Sequence, residues 1–539
     1  MYLESDFPAT ANPHEDSPRA GAGRDASVEG RRFLSGPRKW LICRSSCEII
    51  RRTMKAQTKR LLAAVGFALC LGCFAKADLA RPTSGGLAEQ IDGIISASLQ
   101  KRVQFSIHVV EAPSGRTLYG HDAGELMIPA SNMKVITSAA ALKYLGPDYQ
   151  FKTRVGLLGN ALVVVGSGDP LLGDEKTDAK YSREPGWIFK DIANALKSKG
   201  IGTIEDIIVD SSVFDNQPVH PNWPAQDLNK WYACEVSGLN FNDNCVRITA
   251  KNTDGKVAVF VEPQTSFVAL INKVEPISKG TGAVGAYRNR QPNHLIVFGK
   301  CRDAAGPFDV AIERPAAFFG FLLYEHLAKA DIVVRGHLVE RVLDDYSGLR
   351  PLVEYTTPLA DCLARCNKNS LGLAAESLFK KIGAQGNPDG KNGSWERGRQ
   401  LVCKYLSELG LDESQYYIDD GSGLSRQNEL TAYAITTVLL DVYRGRDWKF
   451  YRDSLAAGGV DGTIERYFKE ENYRGRIFGK TGYISGVASF SGICTAAGGD
   501  RIFSILANNT NGEIRTAIND IAEAIIDDAD SRSEITEPQ

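Results

Sequence analysis

The order in which apolar periodicity changes along the chain restricts its fold more than any other feature. Around residue 88, GLAEQIDGIISASL has the spacing of an amphipathic helix, and VQFSIHVVEAPSGRTLYGHDA reads as a hairpin with a Ser-Gly turn. PASNMKVITSAAAL, residues 129–142, then continues at helical spacing and stops near Gly146-Pro147. From about 150 to 350 the pattern shortens to β-rich segments such as ALVVVG, NCVRITA, KVAVFVE and HLIVFG. Gly, Pro and Asn turns divide them, and one good helix intervenes at PAAFFGFLLYEHLAKA. From about 357 helices return, as PLADCLARCNKNSLGLAAESLFKKIG, WERGRQLVCKYLSELG and TAYAITTVLLDVYR. Two strand-like runs within RGRIFGKTGYISGVASFSGICTAAG, a third at RIFSILANN and a closing helix at IRTAINDIAEAIIDD complete the chain. This order predicts an α+β body, 78–150 and 351–530, interrupted by an inserted β-rich region at 151–350 and followed by a tail at 531–539.

The N-terminus has another character. Residues 1–53 are rich in Pro, Gly, Ser and charge without an apolar period, the composition of a disordered extension or of a misassigned start. From Met54, the basic MKAQTKR, the apolar LLAAVGFALCLGCFA and the small-x-small Ala75-Lys76-Ala77 form an export signal at 54–77. Its apolar run is about 15 residues, short of a bilayer span, which favours a removed signal over a retained anchor. Charged residues make up 24% and the net charge is -2, a balance with no field to gather nucleic acid or anionic lipid. The exported part keeps seven cysteines, an odd number that leaves at least one free. Cys362 and Cys366, four apart on a helix, read as a packed apolar pair, since no histidine accompanies them as a metal ligand. Neither HExxH nor GxSxG occurs, and the seven histidines are scattered, so the sequence points to a base other than histidine and to no metal or cofactor.

Within PASNMKVITSAAAL, Ser131 and Lys134 stand three apart, so their side chains share a helix face. A serine hydroxyl becomes a good nucleophile only when a base takes its proton, and lysine can be that base if burial or a second cation lowers its pKa. Ser98 with Lys101 and Ser377 with Lys380 repeat the spacing, which alone selects none of the three pairs. Lys480-Thr481-Gly482, in a strand-like run, supplies the second cation, and Gly482 lets a substrate backbone approach. The amides of Ser131 and Tyr483 would then form an oxyanion hole. The same lysine ends a near match to a phosphate loop, Gly475 to Thr481, but that match is one residue short and is followed by a β-like run where a helix is required.

SxxK and KTG are joined by longer strings: PASNMKVITSAAALKYLGPDYQFKT, LVVVGSGDPLLG, NWPAQDLNKWYACEVSGLNFNDN, IDDGSGLSRQNELT, and AAGGVDGTIERYF ahead of GKTGYISGVASFSG. Together they resemble the D-alanyl-D-alanine carboxypeptidase/endopeptidase family of class C low-molecular-mass penicillin-binding proteins, from about residue 85 to 525. The resemblance implies a penicillin-recognising core, an antiparallel sheet flanked by helices, with accessory domains inserted between the first two motifs. It implies Ser131 as acylated nucleophile, Lys134 as base, and Lys480 with Thr481 on the substrate's terminal carboxylate; Ser370, in the register of the middle motif, reads as a proton relay to the leaving amine or as a helix N-cap alone. The implied substrates are peptidoglycan stem peptides in the periplasm, and the implied covalent inhibitors are β-lactams.

One position departs from the pattern. The family's middle motif is Ser-x-Asn ahead of Ala-Glu, and counting back from Ala375-Glu376 puts Gly372 where the asparagine belongs. Losing that amide removes hydrogen bonds of roughly 1 to 3 kcal/mol, or about tenfold to a hundredfold in rate. Asn367 or Asn369 is a candidate to fill the gap, and restoring the amide as Gly372→Asn is expected to raise acylation. The rival reading, a peptidoglycan-peptide or β-lactam binding protein with weakened turnover, rests on the same glycine.

Overall fold

The chain's first hairpin and its last strands build one sheet. The computed structural model describes residues 86–536 apart from 388, 511 and 512. Six antiparallel strands follow the order Ala456–Ala457, Ile477–Ile484, Val487–Cys494, Arg501–Asn508, Gln104–Glu111, Thr117–His121. Gln104 pairs with Asn508, so the two ends of the described chain close the sheet on each other. The extension at 1–53 and the export signal at 54–77 lie outside the described residues.

Strand side chains alternate between faces, and here both faces are covered. Phe105, Ile107, Val109, Phe503 and Ile505 pack against the helices Leu87–Ser96 and Ile514–Thr536. Val110, Ile502 and Leu506 face the other way, into a core shared with the helices Met133–Leu145 and Ala432–Arg444. This explains why RIFSILAN is apolar almost throughout, with Ser504 bonded to Ser491 across the sheet. The closing helix runs to Thr536, into the stretch expected to be tail.

The region from 150 to 358 enters and leaves through paired strands. Gln150–Leu158 lies antiparallel to Arg350–Pro358, with Gln150 opposite Pro358. They belong to a five-stranded sheet completed by Ala161–Val165, Ile207–Asp210 and Leu338–Glu340. Beyond it, two three-stranded sheets and the helices Trp187–Ser198 and Pro315–Lys329 surround an apolar core of their own. Part of the region also packs into the main core, through Leu171, Phe214, Trp223, Ala233 and Cys234.

The run from 359 to 383, helical by its spacing, is interrupted. Leu359–Lys368 and Gly372–Gln385 are separate helices, and Ser370 between them has φ +61°. No helix among the described residues is long and apolar enough to cross a membrane. Cys362 and Cys366 are both fully buried in the main core.

Candidate active site

Ser131 sits in a tight turn, Ala130–Asn132, immediately before the helix Met133–Leu145. Ala130 has φ +46°, which costs a residue with a Cβ roughly 1 to 3 kcal/mol and persists only where the surroundings impose it. Two neighbours do so. A Cβ on Gly423 would stand 1.8 Å from Ala130 O, and one on Gly482 would stand 3.0 Å from Ser131 N and 2.9 Å from Pro129 O. Only glycine allows both backbones this close. Asn132 adds a clamp, donating to Ser489 Oγ at 2.6 Å, while Ser489 donates to Pro129 O at 2.7 Å.

From the next turn Lys134 donates to Ser131 Oγ at 3.1 Å and to Ser422 O at 2.8 Å. The lysine is 2% exposed and Ser131 is half-buried, so the hydroxyl lies between solvent and a sheltered amine. Lys480, fully buried, comes from the strand Ile477–Ile484 and donates to Ser370 Oγ at 2.9 Å and to Thr481 O at 2.5 Å. The left-handed kink at Ser370 brings its hydroxyl to that amine. Thr481 donates to Thr463 Oγ1 at 2.8 Å, and Tyr483 projects outward, 69% exposed. The strand continues past Lys480 and Thr481 to Ile484, where a phosphate loop needs a helix.

Burial holds Lys134 below the ordinary lysine range, opposed in part by Cys366, Glu376 and Asp420. Burial lowers Lys480 well below that range, and repulsion from Lys134 adds to it. A buried lysine that favours its neutral form is the state a base needs. Between the lysines' surroundings, burial pushes the Cys366 thiol up to about 11.

Gly372 opens the helix Gly372–Gln385, and the carbonyl of Tyr232, from the inserted region, occupies the space beside it. A Cβ at 372 would stand 2.8 Å from Tyr232 O. A side chain restored by Gly372→Asn would have to displace the Tyr232 carbonyl before its amide could reach the site. Asn367 Nδ2 donates to Ser454 Oγ at 2.9 Å, while its buried Oδ1 has no partner among the described residues. The residues missed from sequence are those of the 419–428 loop and Glu376, whose carboxylate accepts from Gly421 N and Ser422 N at 3.0 and 2.7 Å. The loop's one signal was the dense string DDGSGLSRQN, more Gly, Asp and Ser than a plain connection needs, while Glu376 showed only as the register mark of the middle motif. An open hollow of 630 Å³ in the inserted region, lined by Lys199, Thr203 and Arg350, touches none of these residues. Among the described residues no His, Cys, Asp and Glu cluster could hold a metal.

A serine bonded to a buried lysine at a helix start, flanked by the edge of an antiparallel sheet, defines the penicillin-recognising class of serine hydrolases. The comparisons narrow the class. The chain belongs to the D-Ala-D-Ala carboxypeptidase 3 (S13) family, whose model matches residues 87–527, and it is a serine-type peptidase. It is 29% identical over 466 residues to the D-alanyl-D-alanine carboxypeptidase of an Actinomadura species, covering 80% of this chain and 83% of that one. To D-alanyl-D-alanine carboxypeptidase DacB of Haemophilus influenzae it is 25% identical over 402 residues, 71% of this chain and 80% of the relative. Penicillin binding protein 4 from Haemophilus influenzae has the same fold, with a TM-score of 0.67 at 22% identity, covering 83% of this chain and 99% of that structure.

Proposed function

We propose that this chain is an exported, periplasmic D-alanyl-D-alanine carboxypeptidase that trims peptidoglycan stem peptides through an acyl-enzyme on Ser131. The observation that carries the reading is the 3.1 Å bond from buried Lys134 to the Ser131 hydroxyl. Ser131 Oγ attacks the carbonyl carbon of the penultimate D-alanine as its proton passes to Lys134. The amides of Ser131 and Tyr483 receive the developing oxyanion. Collapse breaks the C–N bond, and the departing nitrogen takes a proton from Ser370, which Lys480 resupplies across their 2.9 Å bond. Water then cleaves the ester: its oxygen bonds the acyl carbon while its proton restores Lys480, and as the acyl C–O bond breaks Lys134 returns its proton to Ser131 Oγ, regenerating the hydroxyl.

Lys480 and Thr481 hold the terminal carboxylate, whose charge favours the ammonium form of a lysine that burial otherwise discharges. Cleavage of D-alanyl cross-links is the same acylation with a larger leaving amine, and β-lactams acylate the same serine. Export rests on the sequence of residues 54–77. The test is incubation with a peptide ending in D-alanyl-D-alanine: D-alanine release that penicillin blocks is the expected result. A penicillin adduct without any release would favour the weakened binding protein that Gly372 raises.

A further inference from the structure

The second acceptor for Lys134, Ser422 O, belongs to a turn held from three directions. Glu376 Oε1 accepts from Ser422 N at 2.7 Å, and its Oε2 accepts from Gly421 N at 3.0 Å and from Trp395 Nε1 at 2.8 Å. Asp420 Oδ1 accepts from Gly423 N at 2.7 Å, the N–H of the very peptide whose carbonyl faces Lys134. Its remaining bonds, from Asn428 Nδ2, Ser425 N and Trp223 Nε1 at 2.7 to 2.8 Å, anchor it to the loop and to the inserted region. From the other side Thr137, one turn along the helix from Lys134, donates to Gly421 O at 2.7 Å.

Glu376 and Asp420 are at most 2% exposed, and both grip the turn rather than the lysine. Glu376 lies four residues after Gly372, on the same helix face. Where the middle-motif amide is missing, the next position on that face is tied to the base through two peptides. Burial, with Asp420 beside it, pushes the Glu376 carboxyl up to about 7; in its ionised form its bonds from backbone N–H are charge-assisted, the stronger kind, and each fixes the direction of a peptide plane.

We propose that Glu376 and Asp420 are positioning residues for acylation: they orient the 420–423 turn so that the Ser422 carbonyl holds Lys134 Nζ against Ser131. The proposal rests on the reading of Ser131 as the acylated nucleophile. In Glu376→Gln one oxygen becomes an NH2 facing N–H donors, which turns the peptide away without removing bulk.

The test uses the full chain and a fluorescent penicillin in rapid mixing, separating the dissociation constant of the first complex from the acylation rate constant. Glu376→Gln is expected to lower the rate constant about tenfold to a hundredfold, with the dissociation constant within about threefold. Trp395→Phe removes a donor to Glu376 that is not part of the turn, and should leave both constants within about threefold. An unchanged rate in Glu376→Gln overturns the proposal, and so does an equal loss in Trp395→Phe, which would mean general packing. Should Glu376→Gln fail to fold, Thr137→Val decides, because it releases the same turn from the opposite side. It should slow acylation several-fold, and an unchanged rate overturns the proposal. These variants alter only how fast the adduct forms. Loss of the underlying reading would show instead as an adduct that persists in Ser131→Ala.

Discussion

Ser131 with Lys134 and Ser377 with Lys380 share one spacing, and both lysines are buried, yet the fold uses them differently. Lys380 is held by the Asp215 carboxylate at 2.7 Å and Gln217 O at 2.6 Å, and it lies 3.8 Å from the centre of the Trp395 ring. Ser377 is buried mid-helix, and its hydroxyl has no hydrogen-bond partner among the described residues. Among the described residues Lys134 bonds only a hydroxyl and a carbonyl, and its serine stands half-buried in a turn at the start of a helix. The spacing brings two side chains to one face; chemistry requires in addition that no carboxylate holds the amine and that the hydroxyl can be reached.

The largest effect should come from breaking the first pair. Ser131→Ala is expected to abolish covalent penicillin labelling while Ser377→Ala keeps it, measured by labelled-protein gels alongside circular dichroism. Lys134→Ala should lower the acylation rate about a hundredfold to ten-thousandfold, the range for losing a positioned base. Lys380→Met should leave acylation intact and cost on the order of 1 to 3 kcal/mol of stability in urea. That is less than a fully buried pair, because Asp215 remains 27% exposed and keeps some water.

The pH dependence sharpens the same comparison. The base must be neutral, and burial lowers Lys134 from its ordinary range, so acylation should rise with pH along a limb centred below the usual lysine value near 10.4. A limb at the ordinary lysine value would remove Lys134 as the base. The smallest effect is expected at Gly372. Gly372→Ala pushes a methyl against Tyr232 O, so stability should fall by roughly 1 to 3 kcal/mol with no gain in acylation. A faster acylation in this variant would mean that Tyr232 yields and that the helix start limits the site.

How much of this could be read from sequence depends on whether a contact is local. The hairpin at 104–121 and the Ser131, Lys134 pair rest on short-range periodicity, and both are visible there. Lys480 and Ser370 are 110 residues apart, and only a motif register joined them. The kink at Ser370 was hidden because apolar spacing runs straight through it, while tertiary contacts impose the left-handed backbone. Glu376 was legible only as a register mark. Its role depends on peptide amides 45 and 46 residues away, and backbone partners carry no residue code. Tyr232 shows the same limit, since a carbonyl that fills the place of a missing side chain could belong to any residue.

The most direct test of the central claim is the mass of the full chain after penicillin, followed by peptide mapping of the adduct. The account predicts one penicilloyl group per chain, on the peptide containing Ser131 and absent from Ser131→Ala. An adduct on any other residue, with Ser131→Ala labelled as fast as the parent, would contradict it.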